Sequence, residues 1–319
     1  MSKSGEQRTA LVLGATGGVG GAVARALLAH GWRVRTLVRE GSRHRDRLSP
    51  GVEARTGDAM WADDVVAAAE GASVLFHGVN PSGYQNWDKL VLPMIDHSIA
   101  AARAVGARII LPGTIYNFDP ATTPVVACGT AQTGTTRKGK VRIELERRLR
   151  DASHDVPVLI VRAGDFFGPD ARSSWLCQGM IKPGRPLDKI VRVARGGGHS
   201  WAYLPDLAEA IAQLANRGDA LSMFEDLVFG GVYDETGDLL VSGIQRVVGK
   251  QLPVRMFPWW LMHLGAPFVS FLREVSEVEP FWQHPMRMDN ARLVAILKEE
   301  PHTELDEALR ATLHSLGCL

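Results

Sequence analysis

"TALVLGATGGVG", Thr9 to Gly20, decides how this chain is read. The run from Thr9 is apolar without alternation, as expected of a parallel strand buried on both faces. Gly14, Gly17 and Gly20 then recur every three residues, and "VGGAVARALLAHG" follows as a helix closed by Gly31. Glycines at such a turn permit a tight bend and let backbone N–H groups approach a pyrophosphate at the helix N-terminus. Glycine also serves ordinary turns. The position between a first strand and a first helix is what makes Gly14, Thr16, Gly17, Gly18, Val19 and Gly20 a dinucleotide-binding loop.

Outward from this loop, strands and helices alternate. "WRVRTLV" and "VEARTG" read as the second and third strands, "ADDVVAAAEG" as a helix and "SVLFHGV" as the fourth strand. "WDKLVLPMIDHSIAAARAVG" is a long helix, "ARIILPG" a fifth strand and "VPVLIVRAG" a sixth. Such alternation calls for an α/β fold, a doubly wound parallel Rossmann-type sheet covered by helices on both faces. Beyond about residue 165 proline, glycine and aromatics become denser, and Trp175, Trp201, Trp259, Trp260 and Trp282 fall there. "LPDLAEAIAQLANRG", "TGDLLVSGIQRVVGK" and "ELDEALRATLHSLG" still read as helices. The expected division is therefore a cofactor-binding domain over 1–165 and, over 166–319, a small C-terminal substrate lobe with some elements packing back on the sheet.

Composition bounds the function. With 319 residues, 45% hydrophobic and 22% charged, the chain has an ordinary globular core. A net charge of +1 argues against nucleic-acid binding by bulk phosphate neutralisation. Cys128, Cys177 and Cys318 are scattered without ligand spacing, so neither a metal site nor a disulfide framework is expected, and a reducing cytoplasm is the natural compartment. "MSKSGEQR" is polar, with no signal peptide ahead of the first strand. "FPWWLMHLGAPFVSFL", 257–272, is short for a stable membrane span; it reads as a buried or dimer-facing helix pair, or else as an interfacial membrane contact.

Two residues bear on the nucleotide. Arg39 follows the second strand where an NAD site usually places an acidic residue, and a guanidinium there suits a 2′-phosphate, with Arg35, Arg43 and Arg45 nearby. NADP(H) is thus the expected cofactor and NAD(H) the alternative; otherwise Arg39 merely ends a strand at the surface. Asp58 either accepts from the adenine amino group or caps the next turn.

"GATGGVG", the "TGD" after the third strand, "VRAGDFFGPD" after the sixth and "HSWAYLPDLAEAI" together resemble the extended or atypical short-chain dehydrogenase/reductase superfamily, including its NAD-dependent epimerase/dehydratase members. The Arg39 pattern is also similar to NmrA-like proteins. The resemblance implies a nicotinamide cofactor, a small-molecule substrate and a homodimer through surface helices. It also implies a Tyr-x-x-x-Lys motif opening the helix after the fifth strand.

That helix opens on "TTRKGKVRIELE", 135–146, with Arg137, Lys138 and Lys140 at the end where a helix dipole prefers negative charge. Either something anionic or hydroxyl-rich sits nearby, or the basic end is a solvated surface. By the resemblance Lys140 matches the motif's lysine and would bind the nicotinamide ribose, with Glu144 able to pair with it, while Thr136 stands where the tyrosine should be. An aliphatic hydroxyl is far too weak an acid for that role. Pro112 falls where the family usually has a Ser or Thr; Thr114 is two residues away. Tyr116, leaving the fifth strand, is the nearest replacement acid by sequence, or a tyrosine bracing its loop. Asn117, Asp165, Phe166 and Trp175 are candidate substrate contacts, and His199 is a candidate acid or a structural histidine. The expected function is an NADP(H)-dependent oxidoreductase acting on a small or moderately apolar carbonyl compound. The alternatives are a non-catalytic NADP(H) sensor and an epimerase or dehydratase.

Overall fold

The computed structural model describes residues 7–81 and 87–319; the polar start, residues 1–6, lies outside them. In chain order the first half contains β1 (Thr9–Leu13), α1 (Gly18–Ala29), β2 (Arg33–Val38), β3 (Val52–Thr56), α2 (Ala62–Ala69), β4 (Ala72–His77), α3 (Trp87–Val105), β5 (Arg108–Gly113), β6 (Val125–Val126), α4 (Arg137–Ala152) and β7 (Val158–Arg162). The second half adds β8 (Asp165–Phe167), β9 (Ile190–Arg192), β10 (His199–Tyr203), α5 (Leu204–Asn216), β11 (Phe224–Val228), β12 (Val232–Asp234) and α6 (Leu239–Val248). It ends with β13 (Val254–Met256), α7 (Trp259–Gly265), α8 (Ser270–Ser276), β14 (Arg287–Met288), α9 (Ala291–Leu297) and α10 (Leu305–Ser315).

Seven strands form one sheet in the order β11-β7-β5-β4-β1-β2-β3, every pair parallel. The order reverses beside β1, between its neighbours β2 and β4, which opens a crevice at the carboxyl ends of the strands. β1 and β7 are buried along their whole length, which explains the apolar runs Ala10–Leu13 and Val158–Val161.

The seventh strand was not legible. "FEDLV" breaks its apolar pattern with Glu225 and Asp226, yet both are buried. Arg162 of β7 explains one of them: its guanidinium is held by Glu146 at 2.7 Å and Asp226 at 3.2 Å. Burial pushes the Asp226 carboxyl up against the opposing pull of Arg162. Arg292 meets Glu225 at 3.0 Å. β11 is thus an edge strand of the sheet contributed from beyond residue 165, and α5 packs on α1.

Of the remaining second-half elements, α9 packs on β11 and β14 pairs β6, while the others gather into a second, smaller core. β10 pairs β8 and β12, and β9 pairs β13. This core gathers Trp201, Trp259 and Trp282 with Leu240, Ile244 and Leu309 from α6 and α10. The apolar segment 257–272 is a helix pair, as expected, but not a buried one, which leaves the dimer-facing and interfacial readings of it. It forms the α7–α8 hairpin, which buries Trp259 but exposes Trp260, Leu264, Phe268 and Phe271. No helix among the described residues is long and apolar enough to cross a membrane.

Candidate functional site

The glycine loop is built as its spacing requires. Gly14 has φ +87°, and a Cβ there would stand 2.5 Å from the Gly78 carbonyl oxygen. At Gly20 a Cβ would come within 2.3 Å of Gly14 O, so this glycine lets α1 close against the turn. Gly17 differs: it is exposed, and the nearest atom to a Cβ there is Gly14 O at 3.3 Å. Gly17 is the N-cap of α1, with no capping side chain and no acid in the first turn. The first N–H groups of α1, at Gly18, Val19 and Gly20 beside Thr16, therefore face outward as an anion cradle.

Arg39 is exposed just past the end of β2. Arg35 does not join it. This arginine is buried in β2, donating to Ala68 O at 2.7 Å and Glu70 O at 2.9 Å and pairing with Glu53. Asp58 is half-buried after β3, and its Oδ1 accepts from Met60 N–H at 3.0 Å, which is the turn-capping role.

A cavity of about 280 Å³ opens at the strand ends. Gly18 and Val19 form one side of it, Thr114 and Tyr116 after β5 another, and Asp165, Phe166 and Trp175 come from the lobe side. Tyr116 also packs edge-on against Phe281, with centroids 5.4 Å apart, so it both lines the cavity and braces its loop. Thr114 caps that short turn, accepting from Tyr116 N–H at 3.4 Å. Asn117 is displaced from the expected set. It is fully buried and donates to Gln132, which donates to Glu146, so it belongs to the wall behind the site.

The register of α4 places Lys140 off the cavity lining. Lys140 is exposed on the outer face, and Glu144 pairs with Arg147 and Arg148 instead, which lowers its carboxyl to about 2. Thr136 is the N-cap of α4, accepting from Gly139 N–H at 2.9 Å. The inward face carries Lys138, Arg142, Leu145 and Leu149. Arg142 lines the cavity, stacks over Trp87 at 4.7 Å and donates to Asn80 at 3.1 Å. Lys138 explains the basic helix start. Its ammonium is buried between Glu274 of α8 at 2.5 Å and Glu277, the C-cap of that helix, at 2.9 Å.

Asp165 and His199, far apart in sequence, meet through β8 and β10. His199 Nε2 lies 2.7 Å from Asp165 Oδ2, and its Nδ1–H donates to Phe281 O at 3.3 Å. The ring is buried, stacked on Trp282 with centroids 4.0 Å apart. Only the carboxylate of the pair borders the main cavity. His77, ending β4, also lines it and was not singled out by sequence. Ser98 gives its hydroxyl proton to Met94 O and so accepts from His77 Nδ1–H at 2.8 Å, leaving Nε2 as an acceptor. Burial, helped by the Arg142 charge, pushes this imidazole down to about 3. A polar residue closing the apolar run "SVLF" was the available signal. Among the described residues no group of side chains is arranged to hold a metal.

Residues 14–167 match the model of an NAD(P)H-binding family. The match covers just under half of the chain and makes this region similar to NAD(P)H-binding domains. The whole fold is similar to UDP-glucuronic acid 4-epimerase from Bacillus cereus in complex with NAD, with a TM-score of 0.75, 13% identity and coverage of 97% of this chain and 98% of that one. It is also similar to a nucleoside-diphosphate-sugar epimerase from Pseudomonas aeruginosa, with a TM-score of 0.71, 17% identity and coverage of 98% and 97%. In sequence, the chain is 30% identical over 161 residues to the ceramide reductase of Caulobacter vibrioides (strain NA1000 / CB15N). That match spans 50% of this chain and 46% of the reductase, under half its length.

Proposed function

We propose that this protein is an NAD(P)(H)-dependent oxidoreductase that reduces the carbonyl group of a predominantly apolar small molecule, with NADP(H) preferred. One observation carries the reading: a single cavity joins the uncapped start of α1 to a wall bearing Tyr116 and the Asp165–His199 pair. The residues present fit a dinucleotide. Gly17 leaves room for a pyrophosphate, Arg39 offers an exposed guanidinium for a 2′-phosphate, and Arg142 stands inside the cavity for ribose hydroxyls. Bound there, the cofactor supplies or accepts the hydride.

The chain's own residues handle position and protons. Phe166 and Trp175 provide an apolar wall for the substrate. The Tyr116 phenol donates a hydrogen bond to the substrate oxygen. Both ring nitrogens of His199 face oxygens, so the Asp165–His199 pair holds a proton between them, and Asp165 presents it at the cavity wall. The reductase activity named for the Caulobacter relative supports a carbonyl or imine-type reduction and a hydrocarbon-rich substrate. Lys140 on the outer face and Thr136 in a cap favour a second reading, an NADP(H)-binding sensor without turnover.

Oxidation of NADPH, with NADH in parallel, across short-chain and long-chain aldehydes and ketones tests both. Turnover that prefers NADPH supports the oxidoreductase. Tight cofactor binding with no turnover across the panel favours the sensor.

A further inference from the structure

The α7–α8 hairpin carries an apolar surface with no partner among the described residues. Trp260 is 66% exposed, Leu264 65% and Phe268 85%, and Phe271, Val269 and Met256 continue the patch. Large contiguous apolar surface of this kind marks an interaction site. Its charge identifies the occupant. From Lys250 to Arg273 the chain contains Lys250, Arg255 and Arg273 and not one Asp or Glu. All three cations are exposed. Two copies of this face brought together would oppose like charges around an apolar centre. An anionic bilayer instead accepts tryptophan and phenylalanine at the headgroup level and attracts the surrounding arginines.

We infer that the α7–α8 hairpin docks the protein onto an anionic membrane surface, inserting Trp260, Leu264, Phe268 and Phe271 at the lipid interface. The hairpin is firmly joined to the body. Trp259, at its start, packs against Trp175 of the cavity wall with centroids 5.7 Å apart. Its far end is tied to α4 by Lys138 between Glu274 and Glu277. Docking therefore brings the cavity wall at Trp175 beside the bilayer. The binding itself is independent of the reaction in the cavity.

Sedimentation of the full chain with vesicles tests this, using phosphatidylcholine alone and an equimolar mixture with phosphatidylglycerol. The wild-type protein is expected to sediment with the mixed vesicles. The triple variant Trp260→Glu/Phe268→Glu/Phe271→Glu, or Phe268→Ser if the triple fails to fold, is expected to lose this binding. Arg255→Gln/Arg273→Gln is expected to weaken it on mixed vesicles about 25-fold, at roughly fivefold per basic residue. Trp61→Glu, altering an equally exposed tryptophan (67%) at the start of α2, should change nothing. Wild-type protein that stays in the supernatant overturns the proposal, as does a folded hairpin variant that sediments like wild type. A dimer dispersed by the hairpin substitutions, without vesicle binding, also overturns it and assigns the face to a second copy of the chain.

Discussion

His199 Nε2 stands 2.7 Å from Asp165 Oδ2, with the imidazole sealed beneath Trp282 and the carboxylate at the cavity wall. The pair sets a carboxylate backed by an imidazole at the edge of the cavity, and the proposed reaction uses it. Asp165→Asn keeps the shape and removes the acid. Its kcat is expected to fall about 10²–10⁴-fold while NADPH affinity, read by fluorescence titration, stays within about twofold. Tyr116→Phe removes a positioning hydrogen bond and is expected to cost roughly tenfold in kcat/KM. Equal activity of Asp165→Asn and wild type would remove the pair from the mechanism.

Arg142 and Lys140 give opposite expectations, although only two residues separate them. Arg142→Gln withdraws a cation from the cavity and is expected to weaken cofactor binding about tenfold or more. Lys140→Gln alters an exposed side chain on the outer face and should leave both binding and stability unchanged within about 0.5 kcal/mol. A reversed order in calorimetric titrations would restore the sequence assignment of Lys140.

Arg39 is the phosphate reader in this scheme. Arg39→Ala is expected to weaken NADPH binding about 10–100-fold, the equivalent of one or two charge-assisted hydrogen bonds, and to leave NADH binding unaltered. Equal loss for both dinucleotides would assign the residue a structural role.

His77 makes stability depend on pH in a defined direction. Its folded-state value, about 3, lies below the ordinary 6.5, so the unfolded chain takes up the proton first as pH falls. Stability is unaffected above pH 6.5 and drops by about 1.4 kcal/mol per unit below it, until the folded value is reached. His77→Asn, which keeps a donor for Ser98, should show a shallower decline in urea melts between pH 6 and pH 4. Parallel declines would mean that this ring is not held neutral.

Arg162 tests the strand that sequence reading missed. Arg162→Met leaves Glu146 and Asp226 facing each other without their cation, and is expected to destabilise the protein by about 3–5 kcal/mol in denaturant titration. A loss below about 1 kcal/mol would show that the triad does not hold β11 to β7.

The alternation of strands and helices as far as β7 and the geometry of the glycine turn were determined by sequence alone. These depend on local periodicity and on glycine positions that only one backbone geometry satisfies: Gly14 at φ +87° and Gly20 against Gly14 O follow directly from their spacing. Side-chain destinations were decided by tertiary structure. Lys140 and Arg142 differ by about 200° around one helix, so an error of two residues in motif alignment exchanges solvent for cavity. β11 was hidden because Glu225 and Asp226 look exposed until Arg292 and Arg162 arrive from other elements. Asp165 meets His199 only because β8 and β10 pair in parallel, and the hairpin's exposure depended on what packs against it. Sequence specifies local geometry through short-range sterics, whereas burial, charge pairing and the composition of a cavity arise from contacts between segments far apart in the chain.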